Sequence, residues 1–248
     1  MKLNKEKCHF LITGNKHEHL FVNVGKNQIW ESASEKMLGV NVDSKLKFDM
    51  HVQYLLKTAG RKLTVLARMS NILTFSKLRI LMKSFFESQF SYCPLVWMFC
   101  SRTLNNRINK LQERALRILY RDDISTYQQL LNKDKSVTIH DRNIQLLAIE
   151  MYKVKNKILP CTLSESVNIR EITYNLRTKS DFQSYKPTTV YYGTETLSNL
   201  GPKIWQLIPS DIKDSPCVSS FKSKIKNWTT PECPCRLCKV FVMNVGFL

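Results

Sequence analysis

The sequence predicts an α+β fold in which a short N-terminal antiparallel β-meander is followed by a mainly helical region. Three observations carry that expectation. Residues 8–43 are rich in β-branched and aromatic side chains broken by Gly and Asn, the composition of short strands joined by turns. After Asp43 the apolar residues recur every three or four positions, the period of amphipathic helices. The chain is also 43% hydrophobic and 10% aromatic, enough apolar surface to offset ordering entropy and to exclude a disordered chain.

Three strands are expected, over Cys8–Thr13, His19–Val24 and Lys36–Val42, with Gly14-Asn15 and Gly25 as punctuation. They are too few to make a domain alone, so they must pack on helices or on another surface. The first helical stripe is Phe48, Val52, Leu55, Ala59, Leu63, Leu66 and Met69. A second helix is expected from about Ser76 to Tyr92, stopped by Pro94, and a third from about Thr103 to Tyr120. A fourth runs from about Ile139 to Ile158, with Thr138 and Asp141 as a capping box and Pro160 beyond its end. Residues 160–187 read as polar and irregular. A strand near Thr188–Tyr192 then precedes helices near Glu195–Leu207 and Ser219–Trp228.

Charge points toward a partner. The net charge is +18, and such a balance attracts polyanions, nucleic acid before an anionic membrane surface. It is concentrated: residues 51–120 hold 12 Lys and Arg against two acids, Glu87 and Glu113. Lys57, Arg61, Lys62 and Arg68 fall beside the first stripe, and Arg107, Lys110, Arg114 and Arg117 face outward on the third helix. These eight are the candidate nucleic-acid-binding residues. The apolar run Phe10–Ile12 is too short for a signal peptide, and Leu95–Cys100 too short for a membrane span. The eight cysteines are therefore expected as reduced thiols, in the cytoplasm or nucleus, with no membrane partner.

Two motifs invite chemistry. Tyr120-Arg121-Asp122-Asp123 has the Tyr-x-Asp-Asp form in which paired carboxylates hold two divalent ions for phosphoryl transfer. That chemistry needs a β-hairpin tip. Here the tetrad follows an amphipathic helix and leads into another helical run at Tyr127–Leu131, so the aspartates are expected at a helix end. In the tail, Cys233, Cys235 and Cys238 suggest zinc, which takes four ligands. No His lies nearby in sequence, and Cys217 is far upstream, so a loosely packed reducing tail remains the other reading. His17-Glu18-His19 lacks the spacing of a helical zinc site and reads as polar surface. Cys93, Trp97, Phe99 and Cys100 read as core, although Tyr92, Trp97 and Phe99 are also placed to stack bases. No Gly-rich phosphate loop and no Ser/His/Asp constellation is present.

Several blocks together resemble one family. The run KMLGVNVDSKLKFDMHV, with Leu38-Gly39-Val40, Asp43, Leu46, Phe48 and His51-Val52, resembles the segment after the palm in reverse transcriptases of jockey-like, non-LTR (LINE-type) retrotransposons. KCHFLITG before it resembles the palm strand after the catalytic hairpin. SFFESQFSYCPLVWMF, LQERALRILYRDD, SVTIHDRNIQLLAIEMYKVKN, NLGPKIWQLIPSDIK and CPCRLCK resemble the family's C-terminal region, in order.

The resemblance implies three regions. Residues 1–46 would be a palm and primer-grip remnant, with Leu38, Gly39 and Val40 in the grip. Residues 47–160 would be a basic thumb following an RNA–DNA duplex, and 161–248 a C-terminal α+β region with the Cys tail. It also implies a fragment of an RNA-directed DNA polymerase, inactive alone, whose catalytic carboxylates and Mg ions belong to a palm and fingers half upstream of residue 1. No catalytic residue is carried over, and no cofactor is expected within the chain, with zinc at the C-terminal cysteines as the alternative to a reducing tail. The alternative is a standalone, host-retained RNA- or DNA-binding protein with no enzymatic role.

Overall fold

A computed structural model describes residues 4, 7–14, 20–160, 167–170, 181–183, 186–189, 193–194, 196–230, 233–235 and 237–238. Contacts gather into two units, Met1–Ser125 and Thr126–Leu248. The first unit opens with two antiparallel hairpins, β1 (Phe21–Val24) with β2 (Asn27–Trp30) and β3 (Ser34–Met37) with β4 (Val40–Asp43). Both turns span two residues, a geometry that demands positive φ. Gly25 meets it at +63° in the first turn, and Leu38 and Gly39 at +47° and +88° in the second. Phe21 and Trp30 are cross-strand partners, with ring centroids 5.0 Å apart.

The expected class holds, short N-terminal antiparallel strands before a mainly helical region, with the strands paired as two separate hairpins. Cys8–Thr13 contributes only a parallel bridge between Phe10 and Glu31, and Lys36–Val42 is folded back on itself instead of forming one strand. The two-residue turns are the reason, because they pair each segment with its immediate neighbour. Strand β2 went unexpected because Asn27-Gln28 is too polar to read as a strand.

Asp43 turns the chain from β4 into the helices. Its carboxylate accepts the backbone N–H groups of Lys45 (3.1 Å), Lys47 (3.1 Å) and Phe48 (2.7 Å). Helix α1 (Asp49–Met69) follows and buries Val52, Leu55, Leu56, Ala59, Leu63 and Leu66, most of the expected stripe. Helix α2 (Phe75–Phe85) is shorter than its period suggested and passes into a 3₁₀ turn over Glu87–Phe90. After the short α3 (Pro94–Trp97), α4 (Arg102–Tyr120) buries Leu104, Ile108, Ala115, Leu116 and Leu119. Trp97, Met98 and Cys100 are buried, and Tyr92 and Cys93 are exposed.

In the second unit, α5 (Tyr127–Asp134) is capped by a reciprocal Thr126–Gln129 box. Helix α6 (Ile139–Lys155) is capped by Thr138, whose hydroxyl accepts the Asp141 N–H at 3.0 Å and donates to the Asp141 carboxylate at 2.6 Å. Buried residues cover α6 on nearly every side, as expected of a central helix rather than a surface one. Around it pack α7 (Leu197–Leu207) and α9 (Val218–Ile225), with the short α8 (Ser210–Lys213) between them in sequence. Tyr152 stacks on Phe221 at 4.4 Å, and Trp205 lies 6.0 Å from the same ring. The Tyr152 hydroxyl donates to Ser215 O at 2.6 Å. Thr188 and Thr189 form no strand, and the remainder of that expected element lies outside the described residues, as do His17, Glu18 and His19. Among the described residues, no helix is long and apolar enough to cross a membrane.

One buried polar group gives the first unit a pH dependence. His51 on α1 is 2% exposed, and its Nδ1 accepts the Asn41 N–H of β4 at 3.3 Å. Burial, and then the charge of Lys36, lower its pKa. The unfolded chain therefore binds this proton more readily, so stability is complete above about pH 6.5 and declines as pH falls below it. Thermal unfolding followed between pH 7.5 and 5 should show a steeper loss for the wild type than for His51→Gln. Parallel curves would contradict this assignment.

Candidate nucleic-acid groove and metal centre

Helical spacing gathers part of the predicted basic set. Arg107, Lys110 and Arg114 lie three and four residues apart on one face of α4, and Gln53 and Lys57 lie four apart on α1. Together with Leu56 and Leu111 they line an open groove of about 580 Å³. Lys57, Arg107, Lys110 and Arg114 are all exposed, and none is paired with a carboxylate among the described residues. The groove is thus an uncompensated positive channel, which draws in anions from solution.

The other four candidates do not line it. Arg61 is exposed one turn beyond Lys57 on the same side of α1 but does not line the groove, while Arg68 is exposed and Lys62 half-buried at other positions of that helix. Arg117 is occupied internally: it pairs with Glu113 at 2.7 Å and donates to Asp122 O at 3.3 Å. Leu38, Gly39 and Val40 form the tip of the second hairpin. Leu38 is 85% exposed there and Val40 is buried. The Tyr92 hydroxyl props this tip by donating to Leu38 O at 2.5 Å.

Tyr120–Asp123 sits at the end of α4 and not on a hairpin. The Tyr120 ring packs 5.5 Å from that of Phe75. Arg121, at φ +52°, donates to Ser70 O (2.5 Å) and Leu73 O (3.3 Å), satisfying carbonyls just beyond α1. The Asp122 carboxylate accepts the Ile124 N–H (3.3 Å), the Ser125 N–H (3.0 Å) and the Ser125 hydroxyl (2.8 Å). Its bonds build the turn that leaves α4, and Asp123 is exposed beside it.

The tail cysteines do not stand alone. His140, in the first turn of α6, lies with Cys233, Cys235 and Cys238, and their ligand atoms are all within 4.8 Å of one another. Its Nε2 is 3.5 Å from the Cys235 sulfur and 3.4 Å from that of Cys238. His140, Cys233 and Cys235 are buried and Cys238 is half-buried. These four residues form a cluster that could hold a metal such as zinc. Burial pulls the His140 imidazole down, but hydrogen bonds that the ring donates to Cys233 and Cys235, with the charge on those sulfurs, outweigh it and lift the pKa to about 10. Hydrogen bonds from Cys233 and Cys238 hold the Cys235 thiol far below its ordinary value, against burial. Hydrogen bonds with Cys233 and Cys235, together with burial, push Cys238 the other way.

No protein-family model, no curated protein and no solved structure matches this chain.

His140 is the member of this cluster that the sequence does not single out. It is remote from the cysteines in the chain, and only the fold brings it to them. The one available signal was its place beside the Thr138 cap, in the first turn of a long helix.

The turn-building role of Asp122 is checked by substitution. Asp122→Ala should destabilise the chain by about 1–2 kcal/mol through three lost hydrogen bonds to a charged acceptor. Asp123→Ala should stay within about 0.5 kcal/mol of wild type, as at an ordinary surface site. Denaturant unfolding measures both, and equal losses would refute the assignment.

Proposed function

We propose that the chain holds nucleic acid by its phosphate backbone, in the manner of the thumb of the jockey-like, non-LTR reverse transcriptases that its sequence resembles. The observation that carries the reading is the groove in which Lys57, Arg107, Lys110 and Arg114 converge with no acidic partner among the described residues. Arg107 to Arg114 spans seven residues of helix, about 10 Å at 1.5 Å per residue. One strand of a duplex presents a phosphate about every 3.4 Å of axial rise, so that length accommodates about three. Leu56 and Leu111 supply an apolar floor to the groove. Contacts of this kind read charge and duplex shape rather than base identity, so an RNA–DNA hybrid, RNA and DNA all fall within the expected ligand class.

The resemblance adds a context that charge alone does not. In that family a basic helical segment steadies the template–primer duplex beside a polymerase palm, and the hairpin at Leu38-Gly39-Val40 would approach the primer end. The chain's own contribution is to hold the duplex. The proposed role assigns it no chemical step.

Fluorescence anisotropy with an RNA–DNA hybrid tests the reading. Wild-type affinity should fall linearly with the logarithm of salt concentration. Replacing Lys57, Arg107, Lys110 and Arg114 together by Ala should flatten that slope by about 3–4 and weaken low-salt binding tenfold or more, roughly one unit of slope per lost phosphate contact. Replacing the exposed Lys203 and Lys222 of the second unit should change neither. Equal losses in the two variants, or a salt-independent wild type, would overturn the proposal.

A further inference from the structure

We infer that His140, Cys233, Cys235 and Cys238 bind one Zn²⁺ in a closed structural site that fastens the tail to the start of α6. The inference is independent of the basic groove and concerns the second unit alone.

The first support is the donor set. Three thiolates and an imidazole form a soft, borderline ligand shell, which selects zinc over the hard cations Mg²⁺ and Ca²⁺. Tetrahedral zinc takes four such ligands, and with all four positions filled by protein it has no place for a water or a substrate. The role is therefore structural rather than catalytic.

Geometry agrees. Bonds of about 2.3 Å to sulfur and 2.0–2.1 Å to nitrogen, at the tetrahedral angle, set nitrogen and sulfur about 3.5–3.6 Å apart. The His140 Nε2 to sulfur distances are 3.5 Å to Cys235 and 3.4 Å to Cys238. Contacts of this length are long for strong hydrogen bonds but suit two ligands of one ion. The assignment makes Nε2 the ligating atom and leaves the proton on Nδ1.

The surroundings offer a charge balance. Three thiolates and Zn²⁺ carry a net of −1, and His140 stands in the first turn of the 17-residue α6. The N-terminal end of a helix favours negative charge. Nδ1 is buried and has no acceptor among the described residues, so the ring is held by its packing and by the bond at Nε2. That dependence is what makes the metal bond matter for the local structure.

The path of the chain supplies the independent reason to expect a latch. Gln145, buried on α6, donates its Nε2 amide to Lys226 O at 3.1 Å and to Trp228 O at 2.8 Å. Beyond α9 the chain is therefore already laid along α6 near Gln145, and Cys233, Cys235 and Cys238 lie at His140. Five helical residues separate those two anchors, about 7.5 Å along the axis. One anchor is a pair of neutral hydrogen bonds, and zinc makes the second far stronger.

Metal analysis and cobalt substitution of the full chain test the inference. Protein purified under reducing conditions with zinc should hold one zinc per chain. Replacing zinc by Co²⁺ should give the visible bands of a tetrahedral ion with thiolate-to-cobalt charge transfer. Cys235→Ser and His140→Ala should each weaken zinc binding at least about a hundredfold, as expected when one of four ligands is lost. His140→Cys should retain metal and shift the cobalt spectrum toward four-thiolate character, so a failure of other variants to fold leaves the test intact. A wild type without zinc and without a tetrahedral cobalt spectrum overturns the site. Identical cobalt spectra for wild type and His140→Ala overturn the assignment of His140, and an iron–sulfur chromophore overturns the choice of metal.

Discussion

The first unit depends on the apolar faces that α1 and α4 turn toward the core. Val52, Ala59, Leu63 and Leu66 of α1 are fully buried, and α4 contributes Ile108, Ala115 and Leu119 at 3% exposure or less. Burying one Leu or Ile side chain is worth about 1.5–3 kcal/mol. Repulsion between exposed like charges is much smaller, because water and salt screen it within about 8–10 Å. Packing therefore wins, and it sets four cations along one groove at modest cost. The same cations would be poorly placed if either helix rotated, since rotation would drive charge into the core and expose the leucines.

In the second unit α6 takes the equivalent place, by a different logic. It is buried on nearly every face and organises what lies around it: aromatic stacking at Tyr152, amide bonds at Gln145, and the sulfur and imidazole cluster at its first turn. A second polar cluster sits around Trp205. Its indole N–H donates to the Asp181 carboxylate at 2.6 Å, and Lys155 pairs with that carboxylate at 3.2 Å. Close packing reaches the backbone as well, since a Cβ added at Gly201 would collide with the Met151 sulfur. Such a helix has little tolerance for change along its length, in contrast to α1 and α4, whose outer faces are free to carry charge.

Much of this was legible in the sequence, for identifiable reasons. The stripe from Val52 to Leu66 and the alternation of Ile108, Ala115 and Leu119 with Arg and Lys repeat often enough to define helices and their buried sides. The hairpins were harder, because their signal lies in two-residue turns and a polar strand, and one of the turns places Leu38 at positive φ where Gly or Asn is usual. The setting of Tyr120–Asp123 was readable because a long apolar period runs straight into it. His140 was not, since a ligand set assembled from distant parts of the chain leaves no local spacing to read. The separation of Arg117 from the groove was equally hidden. Its period matches that of Arg107, Lys110 and Arg114, and only the nearby Glu113 and the Asp122 carbonyl reveal its internal use.

The central claim is that a duplex lies against the α1–α4 face. Lysine acylation followed by peptide mass mapping reads that contact directly, with and without a saturating RNA–DNA hybrid. Lys57 and Lys110 should be strongly protected by the duplex, while Lys203 and Lys222 react as in the free chain. Unchanged reactivity at Lys57 and Lys110, with protection of the second-unit lysines instead, would contradict it.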